Sequence, residues 1–367
     1  MVDVFASDVG EALAAGATLP ADWYSDPAVL RREQDTIFRR SWQYAGHAEL
    51  VAEPGDWFTC FAGAIPVVVT RDQSGNINAF VNVCRHRGHI VAEGTGHRET
   101  LQCPYHAWTY GLDGSLRAAP RSEREADFDA EAFSLLPVQV DSWGPLLFVN
   151  PDLESAPLAE ALGPLPGHVE ASGLDLSRLR FRERSDWEIA ANWKIAVENY
   201  LECYHCPVAH PGFSKVIDVD PDAYVLRCED LVSSQFGTPK PAALAGDGKA
   251  PYNPSGEITE AQYHLLWPNT TVNLEAGPGN LSVDVTRPAG PGRSAGLTDY
   301  FFYEDVSDDA ARELMAFANQ VGLEDSALVE SVQRGLDSGM VPHGRLLLSS
   351  EHLIQHFQRL VFDALAG

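Results

Sequence analysis

Cys84-Arg-His86 and Cys103-Pro-Tyr-His106 place one thiol and one imidazole in each of two short segments, with sixteen residues between His86 and Cys103. A fold that uses all four must bring two loops to one point, and no other feature constrains the chain as strongly. Two thiolates and two imidazoles in the pattern C-x-H-x16-C-x2-H suit a [2Fe–2S] cluster whose second iron takes histidines in place of cysteines, which raises the reduction potential. Zinc uses the same residue types, but its spacings usually keep Cys with Cys and His with His. The flanking Arg85, Arg87 and Gly88 and the run Ala107-Trp108-Thr109-Tyr110 also speak against zinc. The pattern implies a chain that carries electrons one at a time.

The surrounding sequence supplies the loops. Ile65–Thr70, the turn Asp72-Gln-Ser-Gly75 and the run Ile77–Val83 read as strands leading into the first loop. After the second come Trp108–Tyr110, the turn Asp113-Gly114 and Leu116, read as a hairpin, and Phe148–Asn150 as a last strand. These predict an antiparallel β domain over residues 45–155. Residues 1–44 are expected to be a helical segment packed on the domain that follows the β domain. Within it Asp26 caps a helix with Pro27 at its first position, and Leu30, Ile37, Phe38 and Trp42 recur at helical spacing. Residues 156–367 are expected to form a second domain. It holds a connection at 155–173, a strand from Arg180 entering a long helix near Asp186, sheet segments at 263–274, 281–287 and 299–303, and helices over 308–366. Residues 238–256 lack periodicity and are read as a mobile segment or lid. The fold class is α+β.

The 367 residues carry 52 acidic and 26 basic side chains, a net charge of −26 that repels nucleic acid and anionic membranes. No run approaches the ~20 apolar residues of a membrane helix. The N-terminal residues lack the basic and apolar regions of a signal peptide, so a cytoplasmic location is expected. Six cysteines, two of them in the cluster pattern, are too few for a disulfide scaffold. Cys203-Tyr-His-Cys206 has the C-x-x-C spacing of redox and zinc motifs, but a better reading of that segment exists.

That segment runs Glu198-Asn199-Tyr200-Leu-Glu202-Cys203-Tyr204-His205-Cys206-Pro207-Val-Ala-His210. On a continuous helix Glu198, Glu202 and His205 would share a face, and Pro207 would end the helix. A turn then returns His210 to His205, so that two histidines converge on one metal. A carboxylate would complete a facial triad suited to non-haem Fe(II). Asp325 is the candidate, with Glu324 and Glu330 as alternatives. An acid on the apolar face of Asp325, Leu328, Val329, Val332 and Leu336 is costly unless paired or metal-bound, although Asp325 serves equally well as a helix cap.

Taken together, Cys84-Arg-His86-Arg-Gly88, Cys103-Pro-Tyr-His106-Ala-Trp108, Asn192-Trp-Lys194, Glu198-Asn-Tyr200-Leu-Glu202-x-Tyr204-His205 and His210 make the chain resemble the catalytic alpha subunit of the Rieske non-haem iron oxygenases along nearly its whole length. The resemblance implies a Rieske [2Fe–2S] domain, with Cys84, His86, Cys103 and His106 as ligands. It further implies a helix-grip catalytic domain with an antiparallel sheet and one mononuclear Fe(II) on His205, His210 and Asp325, with Asn199 close by. It implies a homotrimer or other ring in which the cluster of one subunit serves the iron of its neighbour, bridged by an acid that would be Glu202. Electrons would come from NAD(P)H through a separate flavin/iron–sulfur reductase or a ferredoxin, and O2 would be the oxidant. Many ring-hydroxylating members carry Asp as the bridge, whereas Glu-x-Tyr-His-Cys-Pro is similar to the branch that oxidises carnitine, glycine betaine, choline and related quaternary amines.

The expected function is therefore a monooxygenase that hydroxylates or demethylates a small polar substrate such as a quaternary amine. Tyr263, Trp267 and Tyr303 are available to face a cation, with sheet core the more ordinary role for at least two of them. The alternative is an aromatic-ring-hydroxylating dioxygenase. A non-catalytic electron carrier would leave the second metal motif without a purpose.

Overall fold

In the computed structural model, which describes residues 3–246 and 250–366, the alternating apolar residues flanking the two cluster loops form strands. Phe38–Leu158 make one compact unit. Its strands are β1 (Gln43–His47), β2 (Asp56–Ala62), β3 (Ile65–Arg71), β4 (Ile77–Val81), β5 (Thr95–His97), β6 (Thr100–Gln102), β7 (Thr109–Gly111), β8 (Leu116–Ala118), β9 (Pro137–Trp143) and β10 (Leu146–Asn150). Seven form an antiparallel sheet in the order β1-β10-β9-β4-β3-β2-β5, and β6, β7 and β8 form a second. The unit starts ahead of residue 45 because Gln43 and Tyr44 pair with Val149 and Phe148. Phe58, Val67, Val69 and Val149 fill the core between them, each burial contributing about 1.5–3 kcal/mol. A second apolar cluster, with Trp57, Phe80, Leu101, Trp108 and Tyr110, includes Cys84 and Cys103 themselves.

The rest of the described chain makes the other unit. Its seven strands are β11 (Leu179–Ile189), β12 (Val225–Glu229), β13 (Val232–Gly237), β14 (Ala261–Leu266), β15 (Thr270–Leu274), β16 (Asn280–Gly290) and β17 (Arg293–Tyr303). They pair antiparallel in the order β11-β17-β16-β15-β14-β13-β12. Three helices matter most to the site: Trp193–Tyr200, the thirty-residue Asp308–Asp337, and Leu348–Ala366. At the N-terminus Asp26 caps the helix Pro27–Glu33 as expected, accepting from the Ala28 amide at 2.7 Å. Of the segment read as a lid, Pro241–Leu244 is a short helix, and residues 247–249 lie outside the described residues. No described helix is long and apolar enough to cross a membrane.

The helix expected from near Asp186 to His205 is not continuous. β11 runs on to Ile189, and the helix starts at Trp193, where the Asn192 side chain accepts from the Lys194 amide at 2.9 Å. It ends at Tyr200 because Glu202 takes the amides of Tyr204 and His205 with its own carboxylate, a local alternative to the helical ladder. Pro207 sits at the start of the next short helix, Cys206–Ala209, where its missing N–H costs nothing. Cys203 and Cys206 close this turn as a disulfide, a pairing that the cysteine count does not suggest.

Helix Trp193–Tyr200 is held by a buried polar network. Lys194 is fully buried against Glu33, which also accepts from Trp193 Nε1 at 2.9 Å. Glu198 accepts from Tyr24 Oη at 2.8 Å and from Gln358 at 3.0 Å, tying the N-terminal segment and the C-terminal helix to the same turn. Burial pushes the Glu198 carboxyl up to about 7, against the pull of Gln358, Tyr24 and Lys194. The unfolded chain, with a value near 4.5, loses this proton first, so the group withdraws stability as pH rises from about 4.5 to about 7, by up to about 1.4 kcal/mol per pH unit. Glu198→Gln should therefore flatten this limb of the pH–stability curve in thermal unfolding. An unchanged slope would assign the limb to another group.

Candidate functional site

The two cluster loops are built alike. Cys84 N–H donates to His89 O at 2.7 Å and Gly88 N–H to Cys84 O at 3.0 Å. The second loop repeats this with Cys103 N–H to Trp108 O at 2.8 Å and Ala107 N–H to Cys103 O at 3.0 Å. Four residues after each cysteine the backbone takes a positive φ, +74° at Gly88 and +58° at Ala107. Glycine meets that need without cost; alanine holds it only because the loop enforces it. Cys84 and Cys103 are buried free thiols, while His86 and His106 are exposed, their rings 4.5 Å apart. Trp108 stacks on His86 at 5.0 Å, and the Tyr110 hydroxyl meets Cys84 Sγ at 3.3 Å. Two thiols facing inward and two imidazoles facing outward fit the donor set of a Rieske cluster.

In the other unit His205, His210 and Asp325 each offer one ligand atom, all within 4.8 Å of one another. His205 Nε2 and His210 Nε2 are 3.0 Å apart, and Asp325 Oδ1 lies 3.5 and 3.0 Å from them. Both histidines are held from behind. Glu202 bonds His205 Nδ1, and Glu324 bonds His210 Nδ1 at 2.8 Å. Asn199 Nδ2 donates to Asp325 Oδ1 at 2.6 Å. Burial disfavours charge on His205, but Asp325 and Glu202 overcome it and push the imidazole up to about 9. Burial likewise opposes charge on Asp325, yet the two histidines and Asn199 pull it down to about 2. Two imidazoles and a carboxylate converging in this way fit a divalent metal with open positions.

The carboxylates left open by the sequence take different places. Glu324 faces Nδ1 of His210, on the far side of the ring from the convergence point, and Glu330 accepts the Ala190 amide at 3.0 Å. Gln333 accepts the Asn192 amide at 2.8 Å, so the Glu330-x-x-Gln333 turn fixes the entry of helix Trp193–Tyr200. Asp325 is no helix cap: it lies deep inside Asp308–Asp337, which Ser307 caps. Leu328 and Val332 on its expected apolar face are exposed. The role of Glu324 escapes a reading by spacing, because only the fold brings it to His210.

Between the sheet and the helices Trp193–Tyr200 and Asp308–Asp337 lies a cavity of about 510 Å³ with Asn199 and Asp325 in its wall. Its floor is polar by strand alternation: Thr271 and Asn273 on β15, Ser282, Asp284 and Thr286 on β16, Thr298 and Tyr300 on β17. Of the three aromatics singled out by sequence, Tyr263 lines this cavity. Trp267 packs on Phe357, and Tyr303 lies under Arg178 at 3.8 Å.

Comparison with known proteins gives matches over both units. The family described as "Rieske [2Fe-2S] domain" matches residues 41–139, and "Ring hydroxylating alpha subunit (catalytic domain)" matches 176–367. Chloroplastic choline monooxygenase of Atriplex hortensis is 33% identical over 347 residues, covering 93% of this chain and 76% of that protein. The carnitine monooxygenase oxygenase subunit of Acinetobacter baumannii is 34% identical over 359 residues, covering 94% of both. The solved structure of the quaternary ammonium Rieske monooxygenase CntA with its substrate L-carnitine is similar at a TM-score of 0.81, with 31% identity and 95% of each chain covered. Inter-subunit electron transfer is described for CntA.

Proposed function

We propose a reaction for this chain from the premise that it belongs to the ring-hydroxylating oxygenase alpha-subunit family and carries a Rieske [2Fe–2S] domain. The chain is an oxygenase, and its reaction is monooxygenation of a small quaternary ammonium compound. One atom of O2 enters a C–H bond near the nitrogen, the other leaves as water, and two electrons and two protons are consumed. Hydroxylation on an N-methyl carbon would end in demethylation, with the carbon released as formaldehyde. The observation that carries this reading is the cavity beside Asp325, whose floor is polar and acidic and whose walls include Tyr200, Phe213, Tyr263, Tyr300 and Phe317. Acids and aromatic rings suit a cation, whereas a flat hydrocarbon ring wants an apolar slot. Kinship with choline and carnitine monooxygenases supports the same substrate class.

In this reading Cys84, His86, Cys103 and His106 hold the cluster, and His205, His210 and Asp325 hold Fe(II). When bound, the cluster supplies electrons and the iron supplies a place to activate O2. Glu202 and Glu324 keep the Nδ1 of each histidine engaged, which leaves both Nε2 atoms for the metal and fixes the ring planes. Asn199 holds Asp325 Oδ1 in one orientation. Electrons arrive from an NAD(P)H-dependent reductase or ferredoxin. The active assembly is a ring, a trimer in the simplest case, in which Glu202 links the iron site to the neighbouring subunit's cluster. The inter-subunit transfer described for CntA supports this arrangement.

Single turnover tests the reaction. Reduced, iron-replete protein exposed to O2 with quaternary amines should yield a hydroxylated or demethylated amine by mass spectrometry. A dihydrodiol or phenol from an aromatic panel instead would make it a ring hydroxylase. Glu202→Gln should keep both metal centres while slowing O2-driven cluster reoxidation about 10–100-fold, as when a partner of a ligating histidine is lost; an unaltered rate would remove the bridge. Asp325→Ala should keep the cluster's visible absorption and lose about one iron per chain. Full iron retention would move the third ligand elsewhere.

A further inference from the structure

The charged lining of the cavity has one sign. Asp186, Glu275, Asp284 and Asp325 line it, and among the described residues no Lys, Arg or His does. Asp186 is solvent-exposed, and Asp325 belongs to the histidine cluster. That leaves Glu275 and Asp284. Asp284 accepts from Thr271 Oγ1 at 3.0 Å, Asn273 Nδ2 at 2.7 Å and the Thr298 hydroxyl. Glu275 accepts from Tyr263 Oη at 2.9 Å and Tyr252 Oη at 3.5 Å. Every one of these donors is neutral, and among the described residues neither acid forms an ion pair. Burial pushes both carboxyls up, Glu275 to about 7. Both nevertheless keep accessible surface deep inside the fold, and that surface opens into the cavity.

The tyrosines that share this space have their hydroxyls occupied. Tyr200 Oη donates to Asn273 at 2.6 Å, Tyr263 to Glu275, and Tyr300 to Asn319 at 3.1 Å. What these tyrosines leave for a ligand is the face of an aromatic ring, which attracts an alkylammonium ion and not an anion. A carboxylate brought in beside the ammonium would be desolvated against two acids, and among the described residues no basic side chain lines the cavity to receive it.

We infer that this cavity selects a small quaternary ammonium ion that carries no carboxylate, with Asp284 and Glu275 as its countercharge, and disfavours zwitterions of the same size. The inference rests on the quaternary-amine reading above and narrows it. Specificity then comes as much from repulsion of the second charge as from attraction of the first.

Matched pairs test it on the holoenzyme: choline against glycine betaine, and 4-(trimethylammonio)butan-1-ol against γ-butyrobetaine. Affinity is measured by calorimetry, and single-turnover products by mass spectrometry. The alcohols should bind at least about tenfold more tightly than their zwitterionic partners and should be the ones oxidised. Asp284→Asn and Glu275→Gln should each weaken alcohol binding, on the order of tenfold or more, and narrow the gap within each pair. Should a variant fail to fold, as its circular dichroism and thermal unfolding would reveal, the wild-type pairs still decide the matter. Equal or tighter zwitterion binding would overturn the inference and leave a quaternary-amine monooxygenase standing. Oxidation of an aromatic compound with neither pair bound would overturn both.

Discussion

The convergence of His205, His210 and Asp325 depends on two carboxylates that do not line the cavity. An imidazole has two nitrogens, and a histidine whose ring is free to choose between them is a poor ligand. Glu202 takes Nδ1 of His205 and Glu324 takes Nδ1 of His210, so both Nε2 atoms are driven to the same point beside Asp325. Glu202 does this while also capping its own turn through the amides of Tyr204 and His205. One side chain therefore ends the helix and orients the His205 ring, and the break in the helix is part of the site's construction. Glu324 adjoins Asp325 on Asp308–Asp337, so that helix delivers the converging carboxylate and the support for His210 from consecutive residues.

Placing that helix is the task of its neighbour. Helix Trp193–Tyr200 is laced to it by Ala190 to Glu330, Asn192 to Gln333 and Asn199 to Asp325. It is laced to the N-terminal segment and the C-terminal helix by the Lys194–Glu33 pair and by Glu198 with Tyr24 and Gln358. Buried charges of this kind add little stability relative to an apolar packing but make misplacement expensive, because a shifted partner leaves a bare charge in the interior. A site whose ligand atoms must agree to within ångströms is served by such a network. The polar sheet face completes the arrangement: Ser282, Asp284 and Thr286 cannot pack as a dry core beneath the helices, so a cavity remains beside Asp325.

What the sequence makes legible follows from how local each cause is. The cluster pattern is readable because each Cys/His pair lies within one tight loop, and the same two backbone bonds close both loops. Gly88 announces its positive φ; Ala107, at the equivalent position, gives no such signal. His205 and His210 are readable as a pair across a chain reversal, although the helical register assigned to Glu198, Glu202 and His205 is not the one adopted. That error arises because the spacing of these three residues matches a helix face, while the side-chain bonds of Asn192 and Glu202 that bound the helix are invisible to periodicity. Glu324 and the acidic floor are tertiary facts. Asp284 comes to lie between Thr271 and Thr298 only through the register of three strands.

The cluster loops show the same economy by opposite means. Their thiols belong to the apolar core with Trp57, Leu101 and Tyr110, so the sulfur side is dry, and the Tyr110 hydroxyl meets Cys84 Sγ there. A hydrogen bond to a ligating sulfur withdraws electron density and favours the reduced state, and a dry shell makes each such bond count for more. The imidazoles are exposed, with His86 backed by the flat face of Trp108 and His106 beside Tyr105 at 3.8 Å. Electron exchange with another protein needs an accessible edge that does not reorganise, and aromatic packing behind an exposed imidazole supplies that stiffness without covering it. Asymmetric burial of one four-residue donor set thus lets a single fold hold the sulfur side in an apolar core while leaving the histidine side open to solvent.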